Sequence, residues 1–143
     1  MPAAAVGRVE FPAGAVGVMQ VLPSTAADPS VNIRNITTIE NNIHAGVKYM
    51  RFIRDKYLAD APMSEVDRHL FAFASYNAGP NRIASMRRRA AARGYDPNVW
   101  FQNVEILAAK EIGRETVQYV SNIFKYYVAY KLALEKELQA KPS

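Results

Sequence analysis

Five consecutive apolar residues, Leu70-Phe71-Ala72-Phe73-Ala74, constrain this chain more than any other feature. A surface helix keeps one polar face, so a helical segment that is apolar all round must be enclosed by other elements. The segment has clear ends. Ser64 can cap the free amides of a helix start, with Glu65 and Asp67 suited to the positive end of its dipole. At Asn77-Ala78-Gly79-Pro80, Gly79 supplies backbone freedom and Pro80 fits the first turn of a following helix. Ser64 to Tyr76 therefore reads as the central buried helix of a domain.

The flanking segments supply the enclosure. Ile43, Val47, Met50, Ile53 and Tyr57 recur every three or four residues, which predicts a helix over Glu40–Leu58 with these on its core stripe and Lys48, Arg51, Asp55 and Lys56 on its wet face. A further helix is expected over Asn81–Arg93, closed by Gly94. Asp96-Pro97 reads as a cap followed by a proline at the first helical position, opening a helix that carries Val99, Trp100, Val104 and Leu107 and breaks at Gly113. From Arg114 to about Gln139, Val117, Val120, Phe124, Tyr127 and Val128 predict one long helix. Its tyrosines, Tyr119, Tyr126, Tyr127 and Tyr130, can pack while keeping their hydroxyls near water. With no alternating apolar runs, the fold class is all-α. The expected organisation is an N-terminal arm over 1–13, one helical domain over 14–139 and a tail over 140–143.

The size of 143 residues and the apolar share of 50% suffice for one domain with a core of its own. Cysteine is absent and there are only two histidines, His44 and His69, so neither a thiolate nor a histidine-rich metal site is expected, and no cofactor is implied. Chemistry would have to come from carboxylates, hydroxyls or amides. The formal charge of +5 favours anionic partners without choosing among them. Arg87, Arg88, Arg89 and Arg93 form the most basic cluster, but a charge run on a helix is usually a solvated face. With no reading motif, nucleic acid is not an expected partner. Met1–Val21 lacks both a basic leading segment and a long apolar run, so it is neither a signal peptide nor a membrane span, and any export signal would lie upstream.

Three ordered segments carry a resemblance. They are Gly14-Ala15-Val16-Gly17-Val18-Met19-Gln20-Val21-Leu22-Pro23-Ser24-Thr25-Ala26, Ala74-Ser75-Tyr76-Asn77-Ala78-Gly79-Pro80, and Arg114-Glu115-Thr116-Val117-Gln118-Tyr119-Val120. Together they resemble the catalytic domain of soluble lytic transglycosylases, a lysozyme-like family. Asn42-Ile43-His44-Ala45-Gly46-Val47-Lys48-Tyr49 also looks like a helix of that family, and Asp96-Pro97-Asn98-Val99-Trp100-Phe101 resembles its membrane-bound, periplasm-facing branch. The resemblance implies a cleft for peptidoglycan glycan strands, an envelope or periplasmic location, and cleavage between N-acetylmuramic acid and N-acetylglucosamine to a 1,6-anhydro product. The residues it assigns to substrate are Met19, Gln20, Tyr76, Asn77, Ala78, Gly79, Glu115 and Tyr119. Their chemistry suits a sugar: an amide both donates and accepts, and a thioether or phenol offers a polarizable apolar surface. Five of them also have a plainer reading, with Met19 and Tyr119 as packing residues, Gln20 as a helix-capping contact, Asn77 as a turn residue and Glu115 as a first-turn acid.

In the family a glutamic acid heads a Glu-Ser pair about a dozen residues before the first glycine, where it acts as both acid and base. Counting back from Gly14 reaches Pro2, so the matching position holds no acid. Glu10 is the only carboxylate upstream of the glycine turn, and would serve only with a connecting loop about eight residues shorter. The expectation is a lysozyme-like domain lacking its first helix, impaired in catalysis, with a homodimer or an exchanged N-terminal segment covering the apolar face so exposed. A non-catalytic wall-binding module shares the same fold and cleft, and a basic nucleic-acid-binding helical domain is the more distant alternative.

Overall fold

The computed structural model describes Met19 and residues 21–140. Among these residues six α-helices follow one another: α1 (Pro23–Ala27), α2 (Ile39–Ile53), α3 (Glu65–Ala78), α4 (Pro80–Ala92), α5 (Glu105–Glu111) and α6 (Arg114–Ala140). No β-strand accompanies them, so the all-α class holds for the described residues. A wider π-type turn, Arg54–Leu58, continues α2. The expected arm over 1–13 lies outside the described residues, as does the expected tail over 140–143 except Ala140, which ends α6.

Helix α3 is the hub. Leu70, Phe71, Ala72 and Ala74 are buried, and the core joins them to Ile53, Leu58, Ile83, Met86, Trp100, Val104, Leu107 and Val120 from every surrounding element. Phe71 meets Trp100 edge to face, with centroids 5.7 Å apart. The start of α3 is fastened twice. The Ser64 hydroxyl accepts from the Asp67 amide (3.0 Å) and donates to its carboxylate (2.8 Å), while the other Asp67 oxygen accepts the Trp100 amide (3.0 Å). Arg68 then gathers the loop before the helix. Its guanidinium donates to the carbonyls of Leu58, Ala59, Ala61 and Met63 and pairs with Glu65.

Two expectations require correction. On α2 the buried residues are Asn42, Ala45, Gly46 and Ile53, whereas Ile43 and Val47 stay 43% and 44% exposed. An amide whose partners are in place can occupy a buried position, and the buried face of α2 runs through Asn42, Ala45 and Gly46 beside the expected stripe. The second correction concerns Asp96-Pro97, which opens a turn and not a helix. The Asp96 carboxylate accepts from the Asn98 amide, the Asn103 side chain accepts from the Asp96 amide, and Gln102 adopts a positive φ of 62°. These side-chain bonds satisfy the backbone without a helix, so α5 begins only at Glu105.

Three arginines of the cluster have partners, although Arg89 and Arg93 stay exposed. Arg87 donates to Pro97 O (2.8 Å) and Asn98 Oδ1 (2.7 Å) and lies over the Phe71 ring, while Arg89 and Arg93 both reach Glu111. His69 stacks on Tyr127 and its Nδ1 lies 2.7 Å from Glu65 O, whereas His44 is exposed. The described residues contain no group of acids and histidines able to hold a metal, and no helix long and apolar enough to cross a membrane.

Candidate functional site

Tyr76 and Asn77 occupy the last turn of α3, and the polypeptide then bends away at Gly79. Gly79 has φ of 101°, a conformation that suits glycine, so α3 ends and α4 begins without an intervening loop. Tyr76 packs its ring against the core while its hydroxyl reaches a segment distant in sequence. That hydroxyl donates to Met19 O at 2.5 Å, across 57 positions of sequence. Its ring lies 5.6 Å from that of Tyr49 on α2. Burial, with Tyr119 and Tyr49 nearby, pushes the Tyr76 phenol well above its ordinary value, so it remains a neutral donor at any physiological pH.

Met19 is held at a second point. Its amide donates to Asn42 Oδ1 (2.7 Å), and Asn42 Nδ2 donates to Ile36 O (2.9 Å). One buried side chain, 1% exposed, thus joins α2 to both the Met19 backbone and the loop before the helix. Gly46, one helical turn later, makes room for Met19. A β-carbon there would lie 2.7 Å from the Met19 β-carbon, closer than carbon atoms approach without displacement. Val21, Ala26, Val31, Ile36 and Ala45 form a small second core behind this junction.

Helix α6 supports the opposite side. Thr116, 4% exposed, donates its hydroxyl to Asn77 Oδ1 at 2.8 Å. With its oxygen so engaged, Asn77 is left with an Nδ2 that has no partner among the described residues. Tyr119 lies near Tyr76, and burial pushes its phenol up to about 12. Glu115 is exposed in the first turn of α6 with a carboxylate oxygen beside Gly113, and no hydrogen bond links it to Tyr76 or Asn77.

The structure thus joins Met19, Tyr76, Asn77 and Tyr119 into one neighbourhood, with Ala78 and Gly79 forming its half-buried edge. Gln20, Glu10 and Pro2 lie outside the described residues. Asn42, Gly46, Tyr49 and Thr116 belong to the same arrangement but were not singled out from the sequence. For Asn42 no local signal existed, because its partners at Met19 and Ile36 come from outside the helix.

The all-helical frame and this junction of three distant segments define a class of protein, and the comparison with known families names it. Residues 2–99 match the Transglycosylase SLT domain, and the chain belongs to that family. Among the relatives, membrane-bound lytic murein transglycosylase F of Marinobacter nauticus is 35% identical over 129 residues, covering 81% of this chain and 25% of that protein. The proteins of the same name from Histophilus somni and Shewanella woodyi are 33% and 31% identical, over 80% and 81% of the chain. The chain spans about a quarter of the length of these relatives.

Proposed function

We propose that this chain is the glycan-holding domain of a peptidoglycan lytic transglycosylase working in the bacterial envelope. The observation that carries the reading is the Tyr76 hydroxyl on the Met19 carbonyl, which ties the end of the buried helix to the segment that continues into Gln20. A glycan strand presents hydroxyl and N-acetyl groups. The site would meet them with the Asn77 Nδ2 donor, the Gln20 amide, the faces of Tyr76 and Tyr119, and the Met19 thioether. These groups are uncharged, which matches a sugar backbone whose recognition depends on hydrogen bonds and apolar faces.

In the proposed reaction a glutamic acid donates its proton to the bridging oxygen as the bond to muramoyl C1 breaks. The muramoyl C6 hydroxyl then closes on C1 and returns its proton to the carboxylate, giving the 1,6-anhydro sugar without entry of water. One carboxyl group suffices because the nucleophile is part of the substrate. The position matching that acid is Pro2, so this chain is proposed to bind glycan while turning it over poorly.

Incubation with purified peptidoglycan tests both parts. The chain should sediment with the insoluble wall at physiological salt, and mass spectrometry of the supernatant should find few 1,6-anhydro-muropeptides. Failure to sediment would remove the glycan assignment, and abundant anhydro products would remove the proposed impairment.

A further inference from the structure

A shallow depression of about 430 Å³ lies on the outer face of α2, lined by Ser30, Lys48, Arg51, Phe52, Asp55 and Lys56. Its charges are unevenly matched. Asp55 pairs with Arg54 at 3.1 Å, and the nearby Asp28 accepts both the amide and the hydroxyl of Ser30, at 2.9 and 2.6 Å. Among the described residues neither Lys48 nor Arg51 has an ion-pair partner. Lys56 is held over the rings of Phe52 and Tyr57, 5.4 Å from each centroid, and also acts electrostatically on the Asp28 carboxylate, so among the described residues it is the one cation of the three with an anionic neighbour. The depression therefore combines two unpaired cations, a third cation fixed on an aromatic ledge, and an apolar floor at Phe52. Tyr49 links it to the candidate glycan site: its ring lies 5.6 Å from that of Tyr76, and burial, with Tyr57 and the Asp28 carboxylate beside Ser30 close by, pushes its phenol up.

We propose that this depression is a carboxylate-binding subsite that takes the acidic peptide stems carried by muramic acid, an inference that rests on the glycan reading above. Such stems alternate free carboxylates with methyl groups, so Lys48 and Arg51 meet the charge and Phe52 the methyls. The neutral junction at Met19, Tyr76 and Asn77 would follow the sugar backbone, and the basic face of α2 the peptide that branches from it. Guanidinium and ammonium groups differ here: Arg51 can grip a carboxylate with two parallel bonds, whereas Lys48 acts as a point charge.

The experiment compares soluble glycan strands bearing intact stems with the same strands stripped by an amidase, at physiological salt. Two or three exposed charge contacts should make the chain bind stem-bearing strands about fivefold tighter. In the K48E/R51E variant this preference should vanish while affinity for stripped strands is unchanged. Should the double variant fail to melt cooperatively, Arg51→Glu alone, on an exposed side chain, carries the same comparison. Equal binding of both strands by the unaltered chain would overturn the subsite and leave the glycan reading intact, as would a preference that survives the substitutions. Binding of neither strand would overturn the glycan reading and the subsite with it.

Discussion

Asn42→Leu removes the buried amide that holds Met19 in place while keeping the side chain near its original volume. The bonds lost include that from the Met19 amide at 2.7 Å and that to the Ile36 carbonyl at 2.9 Å. Both partners stay where they were without a replacement. A buried polar group left in that state costs about 1–3 kcal/mol, so with some return from the added hydrocarbon the loss should be about 2–4 kcal/mol. For a chain of this size that corresponds to a fall in Tm of roughly 6–12 °C. Urea unfolding should show a lower midpoint at an unchanged slope, because the surface exposed on unfolding is the same. Glycan affinity should fall further than stability alone predicts, since Met19 loses its tether to α2. A variant within about 0.5 kcal/mol of the parent would show that this amide does not anchor the site.

Other substitutions test neighbouring parts of the account. Gly46→Ala should improve helix propensity by about 1 kcal/mol, yet the β-carbon meets Met19 at 2.7 Å, so glycan binding should weaken several-fold; unaltered binding, followed by titration, would refute the close contact. Arg68→Ala should lose about 2–4 kcal/mol in chemical denaturation, because several carbonyls of the 58–63 loop lose a shared charged donor, and Arg68→Lys should restore little of it. Tyr119 gives a pH signature. Its phenol is pushed from 10.0 up to about 12 by burial, so the folded state resists ionisation that the unfolded chain accepts. The stability tied to it is complete below pH 10 and lost as pH rises toward 12, by about 2–3 kcal/mol. Tyr119→Phe should flatten the alkaline limb of the stability curve measured by urea unfolding at successive pH values.

Much of the frame was legible in the sequence because several local signals agreed. Ser64, the Leu70–Ala74 run, Gly79 and Pro80 each marked the same helix, and the structure places its start, core and end there. The long final helix was equally plain, observed over Arg114–Ala140. The inner face of α2 was not legible, because Asn42 is buried by virtue of partners at Met19 and Ile36, which no local pattern reveals. Gly46 likewise reads as a weak helix residue until Met19 is seen against it. The turn at 96–104 misled because Asp-Pro is a valid helix opening, and only the long-range Asp67 to Trp100 bond and the Asn103 side chain decide otherwise. At the candidate site, Tyr76 and Asn77 were found by resemblance, but their tethers Asn42 and Thr116 emerged only in three dimensions.

The central claim is that Met19 and the Tyr76-Asn77 pair border one glycan-binding groove, and NMR titration tests it most directly. Adding a soluble, uncrosslinked glycan strand to isotope-labelled protein should shift the Asn77 side-chain amide, the Met19 methyl and the Thr116 backbone amide together, with one common affinity. Perturbations confined to the exposed turns beyond Ala129, or the absence of any change at these three groups while the strand binds, would contradict the assignment.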